Sequence, residues 1–504
     1  MKKSIISNVG IAISGVMIFT LIGKLLGFAR ELILAYYFGA NSVSDAYLIS
    51  QTIPGTLYQI VGVGITTCFV PIYLRVKNSN NPNKKIIFIN KFISMVLIVS
   101  IIMIIFVFLF TKPMVQAFAM GFDQQTLDLT IVFTRISVLS LCVSGLVYSY
   151  NALLQAERKF IPASFGVIPY NIGLIIAIIV GAKVHLYALS YISSLAVCAQ
   201  LFYQIIYVRR IPYKFSLNLK LNDENIKKSL SLLPPVVIGV AATEINTLVD
   251  RTIASSIIMG GITIITYSTS LFNLIIGIFS QSISNVFYPL ISESIIENSY
   301  SKLENVIVKA TNLILFFLIP ITFGIIVMST NIVQILFGHG SLDKSSIKMI
   351  SESLILYSLG FIFYSLKQIY NNIFYAKQKT NIPMSNTIIG IVINILFNIL
   401  FSRIIGLNGL ALATSLSSLI IALLMYFSVR KEFKICLLPS ILVILKYVFS
   451  ALLMSFVCML SLQYIHLGLL LTSFISFIIG IFTYLIMTSI LGVNILEVFK
   501  AFKL

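Results

Sequence analysis

Residues 88–111 read FINKFISMVLIVSIIMIIFVFLFT, with Lys91 as the single charge among them. At 1.5 Å per helical residue the run measures about 36 Å, enough to cross a ~30 Å hydrocarbon core with some tilt. A helix that is apolar all round needs lipid or a deep core around it, and runs of this kind recur on both sides with short polar gaps. The apolar spans are 5–36, 42–73, 88–111, 127–155, 160–181, 186–208, 228–257, 260–291, 306–330, 346–375, 381–402, 407–429, 438–462 and 467–494. The fold class is therefore an all-α integral membrane protein of about fourteen transmembrane helices. Of 504 residues, 58% are hydrophobic and 10% charged, and the mean hydropathy is +1.02, which excludes a soluble globular fold and leaves little chain for one.

The net charge of +19 would suggest nucleic acid in a soluble chain. Here the Lys and Arg sit mainly in alternate short loops, which is the signature of membrane topology. Arg75, Lys77, Lys84, Lys85, Lys91, Arg158, Lys159, Arg209, Arg210, Lys214, Lys220, Lys227, Lys228, Lys302, Lys309, Lys377, Lys379, Arg430, Lys431 and Lys434 fall on one side. The other side holds Lys112, Lys183, Lys344, Lys348 and Arg403. The bias predicts a multi-pass membrane protein with both termini cytoplasmic. The Met1-Lys2-Lys3 opening reads as the start of a retained first helix, since no small-residue cleavage site follows.

The chain also repeats itself. Tyr150-Asn151, Ala156, Lys159, Ile161-Pro162, Ala188-Leu189 and Ser193-Ser194-Leu195 are echoed by Tyr370-Asn371, Ala376, Lys379, Ile382-Pro383, Ala413-Thr414 and Ser417-Ser418-Leu419. Ala35 and Phe69-Val70-Pro71 find counterparts in Ala254 and Phe287-Tyr288-Pro289. Partners six helices apart have the same orientation, so the repeat is parallel, about an axis along the membrane normal. This predicts an N-terminal lobe over 1–215, a C-terminal lobe over 216–434 and two appended helices over 435–504. In repeats of this kind the substrate path lies between the lobes.

Ionisable residues within spans cost roughly 2.5–3.5 kcal/mol each on insertion scales and so mark watery cavities or partners. The first span carries Lys24, Arg30 and Glu31, the second opens with Asp45, and the seventh has Glu244, Asp250 and Arg251. Lys24 and Glu31, like Glu244 and Arg251, are seven residues apart and share a helix face. Lys24, Arg30 and Arg251 are the candidate substrate-binding residues, because a desolvated cation suits phosphate and pyrophosphate. Glu31, Asp250 and Ser270 are candidate polar residues of the cavity or gate. For Asp45, Arg135 and Asp250 the competing reading is a capping or topological role; for Lys367 and Lys446 it is snorkelling. Asn394 and Asn398 share a face of span 11, and with Thr414 and Glu244 they form a candidate oxygen-ligand site for sodium. Interhelical hydrogen bonding is the plainer use of such residues. No cofactor is expected; a sodium ion or the membrane potential is the candidate driving force.

Cys68, Cys142, Cys198, Cys436 and Cys458 lack metal-ligand spacing and read as core packing. His185, His339 and His466 lie far apart in loops. Paired acids, a nucleophile with its base and a Gly-rich phosphate loop are not found, so an enzyme is not expected.

Gly23-Lys24-Leu25-Leu26-Gly27-Phe28-Ala29-Arg30-Glu31, Phe38-Gly39-Ala40, Asp45-Ala46, Ile53-Pro54, Phe69-Val70-Pro71, Val249-Asp250-Arg251 and Gly409-Leu410-Ala411-Leu412-Ala413-Thr414-Ser415 together resemble the MurJ (MviN) family of lipid II flippases. That family lies within the multidrug/oligosaccharidyl-lipid/polysaccharide exporter superfamily, and the similarity runs over about the first 430 residues. The resemblance implies fourteen helices, a cationic central cavity and passage of undecaprenyl-pyrophosphate-linked peptidoglycan precursor (lipid II) from the inner to the outer leaflet by alternating access. It implies a part in cell wall biogenesis and cell shape, with cell-wall synthesis machinery as a partner. Arg30 and Asp45 look like the family's first-helix Arg and second-helix Asp, which adds Asp45 to the candidate substrate-binding residues, and Lys24 stands where the family usually has Arg. Leu57-Tyr58-Gln59-Ile60, Val63 and Ser268-Thr269-Ser270-Leu271 occupy positions often charged in the family. Those departures keep alternatives open: a flippase for another polyprenyl-linked glycan, a cation-coupled drug exporter, or a membrane glycan polymerase.

Overall fold

The computed structural model describes residues 2–78, 82–211, 213, 215–218, 223 and 233–494. Lys214, Lys220, Lys227 and Lys228, which carry part of the charge bias, and the loop tip at 80 lie outside the described residues. Two compact units divide at Thr263/Ile264. The first holds α1 (Lys2–Phe38), α2 (Ser42–Lys77), α3 (Pro82–Leu109), α4 (Thr111–Phe118), α5 (Gln124–Val138), α6 (Ser140–Ala156), α7 (Phe160–Phe165), α8 (Val167–Lys183), α9 (Ala188–Val208) and α10 (Leu233–Ile257), and it ends in the first turn of α11 (Gly261–Ile278). The second continues α11 and adds α12 (Ser280–Ile296), α13 (Tyr300–Phe337), α14 (Lys344–Ser358), α15 (Phe361–Ala376), α16 (Asn381–Ile405), α17 (Asn408–Phe433), α18 (Ile441–Tyr464) and α19 (Leu469–Ile490). Because the division falls after α10, Glu244, Asp250 and Arg251 share a unit with Lys24, Arg30 and Asp45.

Ten helical stretches are long and apolar enough to cross a bilayer, or twelve if the bent pairs α5/α6 and α14/α15 each count as one span. The helices α1, with Lys24, Arg30 and Glu31 in its span, and α10, with Glu244, Asp250 and Arg251, bring the described architecture to the expected fourteen. A multi-pass membrane fold follows directly.

The bends have a local cause that the repeat explains. At the α5/α6 break, of 42°, the Ser140 hydroxyl bonds back to the Ser137 carbonyl at 2.6 Å, and Ser190 and Ser194 of α9 donate to the carbonyls of Phe133 and Ile136. At the α14/α15 break, of 44°, Ser358 bonds back to Ile355, Thr322 donates to the Ser358 carbonyl, and Ser415 of α17 donates to the carbonyls of Leu356 and Tyr357. Hydroxyls thus take up backbone groups that a broken helix would leave unsatisfied in lipid. Ser190 and Ser415 each directly follow the matched Ala-Leu and Ala-Thr pairs of the repeat.

Other departures from the sequence expectation are local. Residues after 111 form the short α4, whose Thr111, Val115 and Phe118 are buried. Spans 5 and 8 are interrupted at Gly166 and Phe279. Core packing holds for Cys68 and Cys458, but Cys198 and Cys436 are exposed and Cys142 is half-buried. An apolar helix in lipid presents small hydrophobes outward as readily as inward, which the soluble-protein habit of cysteine does not anticipate.

One end of the first unit is pinned by charge. Glu157, at the carboxyl end of α6, meets Lys77 at 2.8 Å and Lys85 at 3.6 Å and accepts from the Tyr73 hydroxyl. Burial works against its charge, yet the hydrogen bonds from Lys77 and Tyr73 and the Lys85 ammonium hold its carboxyl below the usual value. Beneath it, Phe69 stacks on Tyr73 at 5.3 Å and meets Phe92 edge-on at 5.0 Å, tying α2 to α3.

Candidate functional site

The candidate residues of the first unit gather around α1, α2 and α10. Arg30 donates to the Glu31 carboxylate at 2.5 Å, with side-chain exposures of 29% and 7%. The neighbours on one helix thus pair with each other, although successive residues point in different directions and only long side chains can close that gap. Lys24 is exposed and lines a separate pocket. The seven-residue Lys24–Glu31 stripe is therefore not an ion pair.

Arg251 lies within electrostatic reach of Glu31, Glu244, Asp250 and Asp45, and its Nη1 donates to the Leu48 carbonyl at 3.3 Å. An arginine that shares its carboxylates with a second arginine is a charge cluster rather than a closed ion pair. Glu244 accepts from the Thr56 hydroxyl at 3.0 Å. Tyr47 and Tyr170 stand within reach of Arg30, and the Tyr47 hydroxyl is 3.0 Å from that of Ser193.

Asp45 does something the sequence did not disclose. Its Oδ1 accepts from the Thr263 amide at 2.8 Å and the Thr263 hydroxyl at 2.6 Å, and its Oδ2 accepts from the Gly260 amide at 2.9 Å. The carboxylate of α2 thereby caps the first turn of α11 from outside, satisfying amides that a helix start leaves unpaired. Gly260 has φ +80°, and a Cβ there would stand 2.4 Å from the Ala40 carbonyl oxygen. Glycine is required on both counts. Nearby, Thr252 donates to the Ala117 carbonyl at 2.9 Å and the Gly121 amide to Ser255 at 3.3 Å. These contacts seat α10 and the turn after it on α2 and α4.

Elsewhere the sequence candidates disperse. In the second unit Asn398 donates to Asn394 at 2.9 Å, Asn394 to Ser417 at 3.1 Å, and Thr414 to the Leu410 carbonyl at 2.9 Å. Asn394 therefore ties α16 to α17, with Asn398 bonded to it along α16, while Glu244 belongs to the first unit. Ser270 lies half-buried on α11. Among the described residues no group of three or more His, Cys, Asp and Glu could hold a metal. Thr263, Gly260 and Thr56 escaped the sequence reading; the Gly260-Gly261 dipeptide, a turn signal, was the one available pointer to the first two.

Bilayer-length helices carrying a cluster of half-buried arginines and carboxylates define a polytopic membrane transporter. The family described as lipid II flippase MurJ matches residues 34–491, and the chain belongs to it. The match extends past the 430 residues of the resemblance and starts just after the 23–31 block. The "Probable lipid II flippase MurJ" of Aquifex aeolicus is 27% identical over 81% of this chain and 80% of its own length. A solved structure, "Lipid II flippase MurJ, inward closed conformation", is 26% identical, with a TM-score of 0.82 over 95% of this chain and 99% of that one. An inward-facing multidrug resistance MATE family transporter of the MOP superfamily shares the fold at 13% identity, with a TM-score of 0.70 over 82% of this chain and 94% of its own.

Proposed function

We propose that this chain moves lipid II, the undecaprenyl-pyrophosphate-linked peptidoglycan precursor, from the inner to the outer leaflet of the bacterial plasma membrane by alternating access. It acts as a transporter, not an enzyme. The observation that carries the reading is the Arg30–Glu31–Arg251 cluster inside the apolar helices of a MurJ-family chain. Cations in lipid are costly unless they serve an anion, and a polyprenyl pyrophosphate is such an anion. Lys24, Arg30 and Arg251 are its proposed contacts. Asp45 is proposed to serve the same site, by capping α11 beside them, with Glu31, Asp250 and Ser270 as polar residues of the path. The moving bodies are proposed to be the repeats, 1–215 and 216–434, with 435–504 appended. Complementation of a strain depleted of its lipid II flippase is the test. Growth supports the reading, and failure of a well-expressed chain favours another polyprenyl-linked glycan as cargo.

Both termini are proposed to be cytoplasmic, from the charge bias of the loops. In a cysteine-free background, single cysteines near 80, 215 and 435 are expected to resist a membrane-impermeant thiol reagent, while those near 120 and 340 react. Outside labelling of the first set would reverse the topology.

Sodium is the proposed coupling ion, with Asn394, Asn398 and Thr414 as oxygen donors in the second unit and Glu244 tested separately. Bound sodium should raise the melting temperature of the purified protein, since a ligand at a hundred times its dissociation constant adds ~2.7 kcal/mol. The Asn398→Ala variant should abolish that rise. A sodium response unchanged by Asn398→Ala, or none at all, removes the ion from these residues.

A further inference from the structure

Lys24 does not stand among the carboxylates. It lines a cavity of about 520 Å³ bounded by the amino half of α1, the end of α6, α7 and the start of α8, together with Thr20, Asn151, Gln155, Phe160 and Ser164. Cavities of this size hold small organic ligands. The wall has a distinct composition. Asn151 and Gln155 lie four residues apart on α6, with their side-chain amides 3.4 Å from each other, so both face the same way. Thr20 and Ser164 add hydroxyls, and Phe19 and Phe160 add aromatic surface. The cavity exists because α1 lies close to α7 and α8. A Cβ at Gly23 would stand 3.1 Å from Val167, and one at Gly15 2.9 Å from Ile161.

Two amides, two hydroxyls and aromatic faces make poor company for an acyl chain and are too weakly cationic for a pyrophosphate alone. They match a ring bearing hydroxyl and acetamido groups, whose polar edge takes hydrogen bonds and whose apolar face lies on an aromatic ring. Lys24 supplies one cation at the end of the cavity nearer Arg30, roughly 9 Å of helical rise away. We propose that this cavity is a saccharide subsite for an N-acetylated, phosphate-linked sugar, with Asn151 and Gln155 as its specificity-determining residues and Arg30 on the phosphate side. The assignment rests on the flippase reading and specifies which part of the cargo the chain recognises as sugar rather than as charge.

The purified full-length chain in nanodiscs, measured by native mass spectrometry against undecaprenyl pyrophosphate and against lipid II, separates the possibilities. The Asn151→Ala/Gln155→Ala variant is expected to bind lipid II about tenfold more weakly, the effect of one or two net hydrogen bonds, with undecaprenyl pyrophosphate binding unchanged. Retained binding of the sugar-free lipid also shows that the variant is folded. Gln155→Glu, which keeps the shape and removes a donor, should show the same selectivity in smaller measure. Equal weakening of both ligands would overturn the subsite in favour of a phosphate or packing role. Unchanged lipid II binding in both variants would overturn it while leaving the flippase reading intact. If the unmutated chain binds neither lipid, the flippase reading fails and the subsite fails with it.

Discussion

Asp45→Ala is expected to abolish complementation and to lower the melting temperature of the purified protein by several degrees. The carboxylate accepts three hydrogen bonds, two from backbone amides that have no route to water. Hydrogen bonds to charged groups contribute about 1.5–3 kcal/mol each, and the stranded amides of Gly260 and Thr263 add a desolvation cost. Asp45→Asn should rescue little, because a side-chain amide can offer its oxygen to only one of the two amide donors and turns its own N–H groups toward the other. Thr263→Val, which removes the hydroxyl bond and keeps the backbone one, should be milder than either. Gly260→Ala should approach the severity of Asp45→Ala, since it combines a positive φ with a clash against Ala40. Normal growth and melting of Asp45→Ala would show that the cap of α11 is dispensable.

The same residue shows where sequence reading stops. Asp45 was legible as a charge in a costly place near the opening of the second span, where the structure has a capping box of Asn41 and Ser44. Its partners are more than two hundred residues away, and nothing periodic links Ser42–Lys77 to the Gly260-Gly261 turn. The Thr56 partner of Glu244 was hidden for a related reason: an intramembrane carboxylate can serve an ion or a hydroxyl, and spacing along one helix does not show that Thr56 stands 3.0 Å away. What depends on local periodicity was readable. The apolar runs gave the spans, because lipid imposes length and composition on each helix separately. The repeat gave Ser190 and Ser415 matched places, though not their bonds to the carbonyls of the broken helices. The Lys24–Glu31 stripe was sound as geometry, yet Arg30 lay closer to Glu31, and a one-dimensional spacing rule has no way to rank two cations on one helix.

Arg30→Ala is expected to abolish transport, and the structure changes how that result must be read. Arg30 is paired with a Glu31 that is only 5% exposed, so removing the guanidinium takes away that carboxylate's hydrogen-bonded cation and leaves it only the longer-range charge of Arg251. Breaking a buried pair in this way costs about 3–5 kcal/mol when both partners are enclosed; the 29% exposure of the Arg30 side chain reduces that. A null phenotype from Arg30→Ala alone could therefore arise from poor folding. The Arg30→Ala/Glu31→Gln double variant removes both charges, and its expression and melting temperature should return toward those of the unmutated chain. If Arg30 binds the cargo's pyrophosphate, transport stays absent in that double variant, because no neutral side chain replaces a charge-assisted fork. Arg30→Lys should support slow growth, with the charge kept and the bidentate geometry lost. Restored transport in Arg30→Ala/Glu31→Gln would mean that Arg30 serves only to neutralise Glu31, and the anion would then have to be held by Arg251 and Lys24 alone.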